Sequence, residues 1–476
     1  MSENRLFIQY LSEEGLDQIE ETAFRLLDEV GISLRHDGVS KMLYGHGCRV
    51  EESRVYIPRD VVRWALENIR PVQALYNRDG SLAFRYGDGQ IRFHNRASAP
   101  NIYDLETGER RSSTVEDVAA ATRLLDALPN VDMIIPLFGP QNVPPEMLEV
   151  IPTGVMLRNT TKPTLSAAME KSEHVPYVVE MAAACCGGME AFRKNPWMSI
   201  MVSPISPLTF SYDGAATIIA AVESGAPFYS LPAPIMSATG PITMAGALAQ
   251  QHAEVLASFV FAAAAKPGAR VVYCSRISPI DLRTATASWG GPETGISGAC
   301  AAQLARRLGL PSNTYGFTSS AALIDQQHTL QRLTNAIIPA LGGVDILSGV
   351  GGNDSGLVAG LGIAVMDDEM ISLIRHIAAV PGVTEDTLAL DVMKEVIPRD
   401  GVFLAEMHTV KHMRRGAIWN PVLCSQIEDK ETSLVDRARD RAKGILQTHR
   451  VEPLPDDVVR HLDEIIERAQ RELVRE

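Results

Sequence analysis

From residue 91 to about residue 379 the chain repeats one arrangement: a short apolar run, a turn, then a stretch with helical spacing. The apolar runs fall at 91–94, 131–136, 163–167, 198–203, 227–231, 271–274, 313–317 and 344–348. Helical patterns follow at 115–128, 147–157, 175–184, 212–224, 244–264, 296–308, 323–340 and 367–379. Runs this short, bounded by turn residues and alternating with helices, read as buried parallel strands. Eight such units in series are what a closed (β/α)8 barrel requires. The rival is an open doubly wound sheet, which carries a glycine-rich turn after its first strand. Here that position reads Asn95-Arg96-Ala97-Ser98-Ala99-Pro100 instead. The expected fold is α/β: a (β/α)8 TIM barrel over residues 91–384, with an N-terminal α/β extension (1–90) and a C-terminal helical segment (385–476).

In the extension, Leu16, Ile19, Ala23, Leu26 and Leu27 fall at helical spacing before Gly31, and Pro58 opens a second helix. Short strands at 72–76 and 82–86 flank Asp79-Gly80, which is hairpin chemistry. In the tail, Pro453 and Pro455 precede an apolar stripe of Val458, Leu462, Ile465, Ile466, Ala469 and Leu473. Such a stripe packs on the barrel exterior or against a second copy.

Charge narrows the partners. With 44 basic against 58 acidic residues, the net charge is −14. Nucleic acid and anionic membranes, which attract Lys- and Arg-rich surfaces, are not expected partners. The longest apolar run, near 255–265, is shorter than the roughly 20 residues that span a bilayer. The polar, acidic start does not read as a signal peptide, so a cytoplasmic location is expected. Six cysteines without a C-x-x-C pair give no metal or redox framework, and Cys185-Cys186 reads as packed thiol.

Barrels carry their chemistry where strands end. No H-x-H follows any strand, Lys162 stands before its strand rather than after it, and no G-x-S-x-G elbow exists. His408 and His412 lie four apart, but Thr409 stands where a zinc protease has its glutamate, so no metal site is expected. What the strand ends do offer is aromatic and glycine residues. Phe138, Tyr229, Trp289 and Phe317 line a pocket for a quaternary ammonium, or are core. Gly349, Gly351 and Gly352, with Asn353, cradle a large cofactor, or form a plain turn. Glu293, after Gly290-Gly291-Pro292, is a site residue or an acid favoured by a helix dipole.

Several segments together resemble the trimethylamine methyltransferase superfamily. They are Ala238-Thr239-Gly240-Pro241, Ala245–Ala249, His252–Ala257, Gly290-Gly291-Pro292-Glu293, Asp325-Gln326-Gln327, and Phe403–Thr409 with Arg414. The resemblance runs from about residue 15 to 450. It implies a TIM barrel that moves a methyl group from a methylated amine to the cobalt of a corrinoid (cobalamin) carried by a cognate partner protein. Founding members insert pyrrolysine; this chain has ordinary residues throughout, with Ala321 or Ala322 near the corresponding place. It resembles the non-pyrrolysine branch that uses glycine betaine and yields dimethylglycine. Proline betaine, carnitine and γ-butyrobetaine are alternatives within that chemistry. A quaternary nitrogen departs as a neutral amine when its methyl is attacked, so no general acid is required. For the substrate carboxylate, the resemblance leaves His94, Asn95, Arg276, Gln326 and the N–H groups of 349–352 as candidates, and a homo-oligomer is expected. From other classes, a barrel lyase or hydrolase and a non-catalytic amine or corrinoid binder remain as rivals.

Overall fold

The computed structural model describes residues 7–424 and 432–474. Seven strands make the barrel wall: β1 (Arg92–Asn95), β2 (Thr164–Ala168), β3 (Met198–Val202), β4 (Phe228–Ser230), β5 (Ala269–Ser275), β6 (Ser312–Tyr315) and β7 (Ile346–Val350). Their order in the sheet is β2-β3-β4-β5-β6-β7-β1, every pair parallel. The eighth position is filled by the 131–136 run, which touches β1 through His94↔Met133 and β2 through Ile134↔Thr164. The ring closes as a (β/α)8 barrel. Its helices are α1 (Val115–Ala127), α2 (Val150–Arg158), α3 (Val175–Cys185), α4 (Tyr212–Ser224), α5 (Met244–Ala265), α6 (Pro292–Arg307), α7 (Gln326–Leu341) and α8 (Leu361–Ala378).

One wall segment departs from the sequence reading. The 131–136 run makes isolated bridges, not a ladder. The cause is Asn95, whose side chain takes the place of backbone partners. Its Oδ1 accepts from the Ile135 N–H at 2.9 Å, and its Nδ2 donates to the Ile135 carbonyl at 2.7 Å. Buried backbone groups must find partners, and a side-chain amide offers one donor and one acceptor at the right spacing.

The N-terminal end of the barrel is plugged. Strand Ile69–Pro71 pairs with the start of β5, and the hairpin of Ala74–Tyr76 with Leu82–Arg85 follows it. Val72, Leu75 and Phe84 from this region cluster with Met133, Tyr229, Val272 and Ile346 inside the barrel. The N-terminal helices Glu13–Arg25, Asp37–Gly45 and Arg59–Asn68 pack on α5. That explains why α5 is buried along most of its length.

At the other end of the chain, helix Leu434–Thr448 packs on α8, and helix Asp456–Leu473 packs on α2 and α3. The apolar stripe of the last helix is thus barrel packing, with Leu462, Ile465 and Ala469 fully buried. Ile466 sits so close that a Cβ on Gly154 would lie 2.9 Å from it. Between α8 and these helices, short helices at Glu385–Leu388, Leu390–Arg399 and Met407–Arg414 are mostly exposed; His408 and His412 lie there. Among the described residues no helix is long and apolar enough to cross a membrane.

Candidate functional site

The C-terminal ends of β1, β5 and β6 converge on one polar cluster. Thr314 of β6 touches α6 at Gly298, so strand alternation turns its neighbours Asn313 and Tyr315 the other way, into the barrel. Asn313 Nδ2 meets His94 Nε2 at 2.8 Å, and Asn313 Oδ1 accepts from Arg276 Nη2. The Arg276 guanidinium lies over the Tyr315 ring, 4.4 Å from its centroid. Trp289 meets the same ring edge-on at 4.9 Å. Arg96 reaches the Tyr315 hydroxyl from the other side, with Nη1 3.5 Å away.

Charge in this cluster is one-sided. Burial and the adjacent Arg276 push His94 down to about 3, so its imidazole is neutral at physiological pH. Its Nδ1 contacts the Asn95 carbonyl at 2.8 Å, leaving neither ring nitrogen unengaged. Burial raises the Tyr315 phenol, but Arg96 and then Arg276 outweigh it and bring it below the usual tyrosine value. Arg276, 3% exposed, is itself lowered by burial.

A second buried assembly fixes the rim. Arg332 of α7 and Asp367 of α8 form a fully buried ion pair. Arg332 also donates to the carbonyls of Phe317 (2.8 Å), Gly349 (3.2 Å) and Gly352, while Asp367 accepts from the Gly351 N–H at 2.7 Å. One pair therefore ties the loops after β6 and β7 to the helix layer. Glu254 of α5 does the same for the loop after β3, accepting from Ser206 Oγ at 2.8 Å and the Leu208 N–H at 2.9 Å.

The residues singled out from sequence separate into two groups. His94, Arg276 and Trp289 meet in the cluster, and Phe317 joins Trp289 along a cleft of about 10 Å³ that Arg96 and Asn353 also line. The four expected cage rings do not assemble: no ring contact joins any two of them among the described residues. Tyr229 belongs to the plugged end, its hydroxyl 2.5 Å from that of Tyr86, and Phe138 is core beside Ala99. Asn95 is committed to Ile135, as described. Glu293 occupies the first turn of α6, where the dipole favours an acid, and Gln326 is exposed at the first position of α7. The glycines in and after β7 are buried and serve their own chain. Gly349 has φ +112° and a Cβ there would lie 2.9 Å from the Phe317 carbonyl oxygen; a Cβ on Gly352 would lie 2.7 Å from Arg96 Cδ. Lys162, at the far end of its strand, spends its ammonium on the carbonyls of Leu125, Leu128 and Val131. Among the described residues no group of His, Cys, Asp and Glu forms a metal site. Cys48, Cys185, Cys186, Cys274 and Cys300 are free thiols.

Sequence reasoning passed over Tyr315, Asn313, Arg96 and Arg332. Two of these had a usable signal: in Ser312-Asn313-Thr314-Tyr315 the period-2 alternation sends Asn313 and Tyr315 to the same face. Arg332 had none, since a lone arginine in a helix reads as surface.

Comparison with known proteins places this sequence in one family. The family model described as trimethylamine methyltransferase (MTTB) matches residues 2–474. Trimethylamine methyltransferase MttB of Desulfitobacterium hafniense (strain DSM 10664 / DCB-2) is 30% identical over 467 residues, covering 97% of this chain and 94% of the relative. The glycine betaine methyltransferase of Desulfitobacterium hafniense (strain Y51) is 28% identical over 407 residues, covering 85% and 84%. Among solved structures, the Methanosarcina barkeri monomethylamine methyltransferase MtmB aligns over 91% of this chain and 93% of its own at 15% identity, with a TM-score of 0.46.

Proposed function

The chain belongs to the trimethylamine methyltransferase family, and from that premise we propose that it moves a methyl group from a quaternary amine, glycine betaine before others, to Co(I) of a corrinoid carried by a separate protein. The observation that carries this reading is the chemistry of the barrel mouth. Its His94 is held neutral with both ring nitrogens engaged, and the nearby cations are arginines. Arginine does not give up a proton at physiological pH. His94 and these arginines suit a leaving group that needs no proton.

In the proposed reaction the Co(I) electron pair forms the new bond to the methyl carbon. The C–N bond breaks, its pair stays on nitrogen, and dimethylglycine departs as a tertiary amine. Nothing must be protonated on the way. The protein's share is to orient the C–N bond toward the mouth and to keep water out. The Arg332–Asp367 and Glu254 braces hold the rim loops for that purpose. Trp289, half-buried over Tyr315, is the ring proposed to meet the substrate's methyl groups. The corrinoid protein is proposed to dock at this rim, because cobalt must reach bonding distance of the methyl. A cytoplasmic location and a homo-oligomeric state belong to the same proposal. The latter is supported by exposed Leu388, Leu390, Ile397, Leu404 and Met407 between α8 and the C-terminal helices.

The test is to mix the enzyme with a Co(I) corrinoid and glycine betaine and to follow the visible spectrum. Appearance of methyl-Co(III) with equimolar dimethylglycine supports the reading. Methyl transfer from trimethylamine but from no quaternary amine overturns it.

A further inference from the structure

Resting on that reading, the next question is what else the substrate must carry. Several arginines of the barrel wall and its helix layer are matched with acids, whereas Arg270 on β5 and Arg306 on α6 donate to backbone carbonyls. Arg332 is paired with Asp367, Arg375 with Asp132, and Arg92 with Asp88 and Asp132. Arg96 and Arg276 have no carboxylate within 4.0 Å among the described residues, and both leave Nε without an acceptor. They are the two that stand at the mouth, on either side of Tyr315.

A buried charge without a counter-ion is costly, by several kcal/mol. Here the fold goes to some length to keep it. Arg276 is gripped by the carbonyls of Ser275 and Asn313, each at 2.9 Å, which fixes its plane. Arg96 runs across two glycines, and a Cβ on Gly356 would lie 1.9 Å from its Nη2. Two cations so held against Tyr315, neither with a carboxylate of its own chain within 4.0 Å among the described residues, offer half of an ion pair. A planar guanidinium matches a carboxylate through paired N–H···O bonds.

We propose that Arg96 and Arg276 anchor the carboxylate of a zwitterionic substrate inside the barrel mouth, turning its trimethylammonium end outward to the methyl acceptor. The arrangement selects betaines in which an acid and a quaternary nitrogen sit at opposite ends. It rejects methylated amines that carry no acid, because two arginines repel a lone ammonium. It also fixes direction: the acid goes in and the methyl groups stay out, where a partner protein reaches them. The cleft of about 10 Å³ lined by Trp289 and Arg96 holds little more than a water.

The experiment compares glycine betaine with choline, which shares the trimethylammonium but has a hydroxyl in place of the acid. Equilibrium binding is measured by calorimetry on the full chain without any corrinoid, and methyl transfer is measured separately. The wild-type protein is expected to bind glycine betaine at least tenfold more tightly than choline. Arg96→Gln is expected to weaken glycine betaine binding roughly 10–100-fold, the range for losing one charge-assisted contact. Choline binding stays unchanged or tightens. Arg96→Lys, which keeps the charge, restores part of the loss and guards against a folding defect, as does an unchanged circular dichroism spectrum. Equal binding of both compounds to the wild type, or equal loss of both in Arg96→Gln, overturns the anchor even if methyl transfer is observed. Preferential binding of glycine betaine without any methyl transfer leaves the anchor standing and overturns the proposed reaction instead.

Discussion

At the scale of single residues, burial decides more than residue type. His94, His252 and His328 are all buried, and burial first, then a nearby arginine, pushes each down to about 3. An unfolded histidine titrates near 6.5, so between roughly pH 3 and 6.5 the unfolded chain binds the extra protons. Stability from these groups is therefore complete above pH 6.5 and falls as the solution is acidified through that window. Each contributes a slope of about 1.4 kcal/mol per pH unit. Urea midpoints taken at pH 7 and pH 5.5 should differ accordingly. His252→Asn, which removes one such group while keeping a partner for Tyr273, should flatten the dependence; an unchanged slope would exclude His252 from it. The same burial explains why the site was half legible in the sequence. His94, Arg276 and Trp289 were found because they end strands or sit in the loops that follow. Phe138 and Tyr229 were equally eligible by position, and only packing separates a ring at the mouth from one against the plug.

At the scale of elements, side chains repair what the backbone leaves undone. Asn95 stitches the 131–136 run into the wall, so Asn95→Ala leaves the Ile135 N–H and carbonyl buried without partners. A loss of about 2–4 kcal/mol is expected, from the cost of one or two orphaned groups, and a denaturant titration reads it directly. Asn95→Asp keeps only the acceptor and should lie between. Arg332 and Asp367 join α7 to α8 and to two rim loops. Asp367→Ala strands a buried guanidinium, and about 3–5 kcal/mol should be lost. The double variant Arg332→Met with Asp367→Leu should recover part of that stability yet still loosen the rim, seen as faster amide exchange at Gly351. The strand and helix succession was readable because period and length carry it. The thin second wall segment was not, since nothing in 131–136 announces that its pairing has been delegated to a residue some forty positions earlier. The motifs behind the family resemblance proved to be partly such repairs. In His252–Ala257, His252 meets Tyr273 at 2.9 Å and Glu254 secures the loop after β3.

At the scale of the whole molecule, the two ends of the chain are barrel cladding. The last helix fills a groove on α2 and α3, with Leu462 at its centre. Leu462→Ala should cost about 2–5 kcal/mol, the range for a large-to-small change in a core, and lower the thermal midpoint of the entire protein in one transition. A separate early transition would mean that this helix unfolds on its own. At the other end, the hairpin stoppers the barrel floor and leaves the rim as the way in. Whatever goes in through the rim has to come back out through it, and in the proposed reaction the methyl acceptor docks at that same rim. If so, amine and acceptor take turns in a fixed queue: the small guest first, the bulky one second, and the demethylated guest released only after the bulky one steps away. Crowding the mixture with acceptor protein should slow turnover instead of speeding it, as latecomers find the door already shut.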